Sequence, residues 1–368
     1  MFRTKIMYNL FVLIISIIDK YYVNKKFIVF GSRAGRQYAD NSKYLYEYYL
    51  KQGEEVYFIT RNKAELQYIP GNPVYAYSAK AAMIMLGSKI LFCTHGRSDF
   101  FPFKFKKNTA RTIVHLFHAI PVKIVADNSK RQNLEIVHWN KFLTSSHFEA
   151  EFLSKQFKID RSRFLVLGQP RNDILWLSAN RVVENSKSFI LYAPTFRDQE
   201  RVRLFPFDDA NLVALDKYLS TSNQELHIRV HPNDERYFRS LGYNEMYSNI
   251  KVINPKEEPT INDVLYKYSR LLTDYSSIAL DFLIFNRPIG YIPYDYVSYD
   301  STRGFSFDYF EHLAGPVIHS QVDLLAFLRN DMNASKQKRL NILNKFHEFK
   351  DGKSSERIYR YCQDILFN

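Results

Sequence analysis

The sequence predicts an α/β protein built from two Rossmann-like domains, each a doubly wound parallel sheet, facing across a cleft. Three observations lead there. A chain of 368 residues with 46% hydrophobic content is long enough for two domains with sizeable cores. Short apolar runs alternate with amphipathic stretches, which is the rhythm of βα units around a parallel sheet. The rhythm also halts at a polar stretch, Ser178 to Lys187, and then restarts. Ligands of such folds bind outside the carboxyl ends of the strands, so the residues that follow each strand carry the functional reading.

The elements follow in order. Ile6 to Ile18 is a 13-residue apolar stretch flanked by Arg3, Lys5, Asp19 and Lys20. It is shorter than the roughly 20 residues a membrane span needs, and no small-residue cleavage site follows it. Residues 1–25 therefore read either as a helix lying in the interface of an acidic membrane or as a helix packed on the first domain. That domain, 26–177, has strands at Phe27–Phe30, Val56–Thr60, Ile90–Thr94, Thr112–Phe117, Phe142–Ser145 and Phe164–Leu167. Helices are expected after an Asn41 cap, at Ser78–Leu86 and at Phe148–Phe157. The second domain, 188–335, has strands at Phe189–Ala193, Leu226–Val230 and Tyr268–Leu272, with helices at Ala210–Tyr218 and Ile261–Tyr266. A charged helical segment, 336–368, closes the chain.

Composition narrows the function. The balance of 51 Lys+Arg against 38 Asp+Glu, net +13, favours an anionic partner. Nucleic acid is disfavoured, because the chain has no zinc-finger spacing, basic heptad region or RNP-type aromatic motif. Two cysteines, Cys93 and Cys362, make no disulfide framework and suit a reducing compartment. No Asp-x-Asp pair or His/Cys cluster points to a metal. Gly31-Ser-Arg-Ala-Gly35 is neither a phosphate loop of the Walker type nor a GxGxxG fingerprint, and reads as a tight βα turn, so no nucleotide cofactor is expected.

The most informative stretch is Leu271-Leu-Thr-Asp-Tyr-Ser-Ser-Ile-Ala-Leu-Asp-Phe282. A strand opens through a hydroxyl- and acid-bearing turn into a helix that is apolar nearly all round. Asp274, Ser277 and Asp281 stand at i, i+3 and i+7 and share one stripe. The arrangement reads either as an anion site at a helix N-terminus or as a cap formed by Asp274 or Ser276. Asp274 and Asp281 cannot hold phosphate themselves, so they fix the turn or accept from a hydroxyl or a cation. Five further clusters fall at strand ends. His118, with Lys123 close behind, suits a general base. Asp173 leaves the Gly168-Gln-Pro-Arg-Asn loop and can also cap a helix. Thr195 and Arg197 follow a Pro turn, with Asp198 as a surface partner for Arg197. Arg229 and His231 share one side of a strand end and suit phosphate recognition. Arg303 closes an aromatic, loop-rich stretch with Tyr294, Asp295 and Tyr299.

Taken together, FHAIPVK, GQPRND, YAPTFRD, RVHP, LLTDYSSIALDF, the RP…YD…RG stretch and DGKSSER resemble, in order and spacing, the CDP-glycerol glycerophosphotransferase family of teichoic acid synthesis. The resemblance implies a GT-B fold and transfer of glycerol phosphate from CDP-glycerol, or of the related alditol phosphate from CDP-ribitol, to a hydroxyl of a lipid-linked or polysaccharide acceptor, with release of CMP. It places the catalytic base at His118. Donor diphosphate contacts fall at His231, Thr273, Ser276 and Ser277, with Arg229 and Asp274 beside them. It also implies peripheral attachment to the cytoplasmic face of the membrane. The family's first motif usually reads His-Gly-x-Pro-x-Lys, and here Ala119 stands at the Gly position. Two other readings stay open: a GT-B glycosyltransferase using a nucleotide sugar, and an inactive scaffold that binds the donor without turnover.

Overall fold

A computed structural model describes residues 11–15, 17–103, 108–125, 139–181, 187–198, 200–254 and 260–367. The chain divides into two compact units. The first comprises Met1–Ile120, Val125–Asp173 and Asp351–Asn368; the second comprises Pro121–Ile124 and Ile174–Lys350. The linker expected at Ser178–Lys187 falls largely on 182–186, outside the described residues.

The first unit is built on seven strands: β1 (Phe27–Phe30), β2 (Val56–Thr60), β3 (Asn72–Tyr75), β4 (Ser88–Cys93), β5 (Thr112–His115), β6 (Lys141–Thr144) and β7 (Phe164–Val166). All pair in parallel, in the order β3-β2-β1-β4-β5-β6-β7. Buried parallel strands carry continuous apolar runs rather than alternation, and Phe-Ile-Val-Phe in β1 and Val-Tyr-Phe-Ile-Thr in β2 are of that kind. Helices cover the sheet, with Ser78 and Ser146 capping two of them as their side chains accept from Ala81 and Glu149 N–H. Asn41 does not cap its helix. Ala39 holds that position, while Asn41 is buried and donates to the Leu116 and Phe117 carbonyls.

The expected terminal segment 336–368 is divided between the units. Its last helix, Ser354–Phe367, belongs to the first unit. There Ile358 and Cys362 join the core of Phe30, Tyr46, Tyr49 and Phe92, and the Tyr359 ring meets Tyr49 edge-on at 5.0 Å. Gly168 makes this packing possible. Its φ is +86°, and a Cβ there would come within 2.3 Å of Ser354 Oγ, so only glycine fits.

Residues 11–15 and 17–19 form an N-terminal helical segment. Val12 is buried, and the Asp19 carboxylate accepts from Arg111 Nη1 and Nη2 at 2.6 and 2.5 Å and from Lys25 Nζ at 2.8 Å. These three charges are all buried. The segment still exposes Phe11, Leu13, Ile14, Ile17 and Ile18, followed by Tyr21 and Val23. The segment is thus tied to the unit, as the packed-helix reading expects, and leaves an apolar face open. Ile6 to Leu10 lie outside the described residues. Among the described residues no helix is long and apolar enough to cross a membrane.

The second unit is a five-stranded parallel sheet of β8 (Ser188–Ala193), β9 (Gln224–Ile228), β10 (Ile250–Val252), β11 (Tyr268–Thr273) and β12 (Ile289–Tyr291), in the order β10-β9-β8-β11-β12. Ile190, Tyr192, Leu226, Ile228 and Leu272 centre its core. Lys123 forms an antiparallel bridge with Phe305, which ties Pro121–Ile124 into this unit. Both sheets reverse their strand order once, between β1 and β4 and between β8 and β11. Each reversal is the switch point at which doubly wound sheets open a crevice for ligand.

Candidate active site

At the switch point of the first unit, the loops after β1 and β4 lock together around Asp99. Its carboxylate accepts from the N–H groups of Ala34 (2.7 Å), Thr94 (2.7 Å) and His95 (2.9 Å). Arg33 pairs with Asp40 through two bonds of 2.5 and 2.8 Å. Arg33, Ala34 and Asp40 all have left-handed φ, +49°, +53° and +59°. Non-glycine residues in that region cost about 1–3 kcal/mol each and cluster where surrounding structure imposes them, often at functional sites. His95 lies flat against His118, ring centroids 4.7 Å apart and planes 16° from parallel.

His118 thus stands three residues beyond β5, at the end of the strand next to the switch point. Its edge is open to solvent. The surrounding protein and the His95 ring hold the imidazole below its ordinary pKa, while Asp40 acts in the opposite sense. His118 is accordingly neutral at pH 7, the form that accepts a proton. Burial pushes His95 down as well, with Asp99 opposing. The same burial raises Asp99 despite its three N–H donors. Burial also works against the Asp40 charge, but Arg33 outweighs it and holds the carboxyl below its usual range. Ala119, at the family's usual Gly position, is buried and free of positive φ; the left-handed residue of this loop is Phe117, φ +52°. Alanine therefore fits here without backbone strain.

At the switch point of the second unit, the loops after β8 and β11 meet through one buried network. Asp274 Oδ1 accepts from the N–H of Thr195 (2.8 Å) and of Tyr275 (2.7 Å). Asp274 Oδ2 accepts from Arg197 Nη2 at 2.8 Å. Arg197 also donates to Asp295 through Nε (2.6 Å) and Nη2 (2.9 Å). Tyr275 and Tyr299 place their rings 5.0 Å from the guanidinium. Burial alone opposes the Arg197 charge, but Asp295 and Asp274 more than offset that and raise its pKa.

This network corrects several sequence expectations. Arg197 bridges two carboxylates and is not a surface partner of Asp198. Asp198 pairs instead with Arg303, and both line a cavity of about 460 Å³ together with Arg197, Asp295, Ser298 and Thr302. Thr273 is fully buried, and its hydroxyl donates to the Ala193 carbonyl at 2.7 Å, so it joins two strands and does not face a ligand. Asp274 precedes the helix, whose N-cap is Ser277, so the expected Asp274–Ser277–Asp281 stripe does not form on one helix. That helix is only Ile278–Phe282, followed by a tighter turn Leu283–Phe285; Asp281 is buried within it. Thr195 contributes its backbone N–H, as described. In the first unit, Asp173 accepts from the N–H groups of Ser354 and Ser355 at 2.8 Å each. It caps the helix Ser354–Phe367 rather than the one that follows it in sequence. Lys123 sits in the second unit, its pKa lowered by burial and then by Arg303.

Ser276, Ser277, His231 and Arg229 also stand at this edge of the second unit. The two serines are half-buried, and Ser276 Oγ makes one long contact, 3.4 Å, to Ile278 N–H. His231 follows β9, two strands from β11 and so about 10 Å away. Its Nδ1 accepts from Asn233 N–H at 3.2 Å, which places the neutral ring's proton on Nε2, a donor. Its ring rests against Phe196 at 4.8 Å. Arg33, Asp40, His95 and Asp99 did not emerge from sequence reading. The signal was present: His95-Gly96 directly follows a strand, as His118 nearly does.

Comparisons with known proteins give the family. Residues 12–363 match the CDP-glycerol:poly(glycerophosphate) glycerophosphotransferase family. The chain is 28% identical over 379 residues to a teichoic acid glycerol-phosphate transferase of Staphylococcus aureus, covering 93% of each chain. It is 26% identical over 369 residues to a teichoic acid poly(glycerol phosphate) polymerase of Staphylococcus epidermidis, where it spans half of that longer protein. Among solved structures it superposes on the wall teichoic acid polymerase TagF, in a variant soaked with CDPG, with a TM-score of 0.81 and 26% identity, covering 97% of this chain and 94% of that one. The two parallel sheets are those expected of a GT-B fold, and the chain belongs to the CDP-glycerol:poly(glycerophosphate) glycerophosphotransferase family.

Proposed function

We propose that the protein transfers glycerol phosphate from CDP-glycerol to a hydroxyl of a lipid-linked or polysaccharide acceptor, releasing CMP, in the synthesis of a teichoic acid or capsule-type polymer. CDP-ribitol is the alternative donor. The observation that carries the reading is the solvent-exposed His118 beside a switch point, stacked on His95, in a chain whose family match runs almost end to end. In this reading His118 accepts the proton of the acceptor hydroxyl as its oxygen attacks the β-phosphorus. The new O–P bond forms, the bond from that phosphorus to the bridging oxygen breaks, and CMP leaves. The first unit then serves the acceptor and the second the donor. Ser276, Ser277, Arg229 and the Nε2–H of His231 meet the diphosphate charge. The exposed apolar face of residues 11–23, with Lys20 and Lys26 nearby, rests on the acidic lipid of a membrane surface.

The test is direct. Incubation with CDP-glycerol, CDP-ribitol and nucleotide sugars should yield CMP from a CDP-alditol only; UDP or CDP from a nucleotide sugar would establish the glycosyltransferase reading instead. His118→Ala should abolish CMP release, a loss of about 10²–10⁴-fold, while the variant still binds donor. Full turnover by that variant would remove His118 from the base role.

A further inference from the structure

At the edge of the first sheet, Arg36, Arg61, Asn62 and Tyr77 line an open cavity of about 480 Å³. They follow β1, β2 and β3, so the cavity lies over the carboxyl ends of the three strands on one side of the switch point. Its wall is a held structure. Arg61 N–H and Thr60 Oγ1 both donate to the Gly35 carbonyl, at 2.8 and 3.2 Å, and Asn62 Nδ2 donates to the Arg36 carbonyl at 3.3 Å. Gly35 has φ +68°, and a Cβ on it would come within 3.3 Å of the Arg61 side chain.

Neither guanidinium has a carboxylate partner among the described residues. Arg61 lies over the Phe101 ring at 5.2 Å, and Arg36 is exposed. The neighbouring Arg33 gives Nε and Nη2 to Asp40, so the loop carries one arginine paired with a carboxylate and one that is not. Two unpaired guanidiniums on one concave surface repel each other, and an anion between them converts that repulsion into attraction. Their planar forks match phosphate oxygens.

We propose that this cavity is an acceptor-phosphate subsite. It holds a phosphate of an anionic, phosphate-bearing acceptor whose terminal hydroxyl reaches His118. The proposal rests on the transferase reading above and specifies what that acceptor carries. In the order β3-β2-β1-β4-β5, Arg36 and Arg61 follow strands that lie two and three places, about 10–15 Å, from the strand that leads to His118. That separation suits a chain of alternating alcohols and phosphates. A small neutral alcohol would leave the cavity empty.

The double variant R36Q/R61Q tests it. With CDP-glycerol and an oligo(glycerol phosphate) acceptor, its acceptor KM should rise by roughly tenfold or more, the scale of one or two charge-assisted contacts. The salt dependence of that KM should flatten, and R36K/R61K should recover part of the loss. Donor affinity, measured by titration with CDP-glycerol, should stay within about twofold, since the change is confined to acceptor contacts. An unchanged acceptor KM overturns the proposal. So does an equal loss with a neutral acceptor, or a loss of binding to phosphatidylglycerol vesicles with acceptor KM intact. Should the wild-type protein release no CMP, the transferase reading fails by itself. The cavity is then judged by direct titration of oligo(glycerol phosphate) into wild type and R36Q/R61Q, where equal affinities overturn it.

Discussion

Replacing Arg197 by Met should destabilise the second unit by about 3–5 kcal/mol, the scale for breaking a buried ion pair by removing one partner. The structure explains the size. Arg197 bridges Asp274 and Asp295 while itself only 5% exposed, with their side chains 3% and 10% exposed. Without it, Asp274 keeps the Thr195 and Tyr275 N–H groups, and Asp295 keeps the Tyr275 hydroxyl. Neither carboxylate then has a cation. Three flanking tyrosines, Tyr275, Tyr294 and Tyr299, also lose their contact with the guanidinium, each worth about 0.5–1 kcal/mol. Arg197→Lys should recover only part, because a single ammonium cannot fork between two carboxylates.

The chain holds two units, so one global midpoint is not well defined. Hydrogen exchange at the amides of β8 and β11 is the suitable readout. A loss below about 1 kcal/mol would refute the reasoning.

Two further outcomes follow from the same structure. His231→Ala should weaken CDP-glycerol binding by about tenfold or more, measured by equilibrium titration; an unchanged affinity removes His231 from the diphosphate contacts. Ile14→Glu with Ile17→Glu, on the exposed face of the N-terminal segment, should lower partitioning onto anionic vesicles by at least about 100-fold, since each isoleucine buried in lipid contributes roughly 1.5–3 kcal/mol. Unchanged partitioning would show that another surface meets the membrane.

The sequence revealed elements better than partners. Nine strands were legible because buried parallel strands are continuous apolar runs. The three it missed, β3, β10 and β12, are three or four residues long and sit at or near sheet edges; Pro73 and Gly290 interrupt two of them. The Leu271–Phe282 stretch was read as functional ground and lies at a switch point. Asp274 fixes the turn and accepts from a cation as expected, but which cation was illegible: Arg197 stands 77 positions earlier, and no local pattern reports such a pairing. Asp173 was read as a helix cap or a ligand from its own loop. Its actual contact lies 181 positions ahead, at Ser354. The left-handed Arg33, Ala34 and Asp40 were illegible for a further reason: residue type alone does not fix positive φ, and the contacts that hold this loop, Asp99 to the Ala34 N–H and Arg33 to Asp40, are made only in the fold.

The path of the chain bears on how it leaves the ribosome. The first unit's core is completed by Ile358 and Cys362, whereas the rest of that unit ends at Asp173. Between Asp173 and Cys362 another 189 positions must be synthesised, which takes roughly 10–40 s at typical elongation rates. Throughout that interval the aromatic surface of Tyr48 and Tyr49, which Tyr359 later covers, stays uncovered on the nascent chain. The second unit can therefore close before the first one does, and a chain stopped ahead of Ser354 should bind a holdase chaperone through that surface.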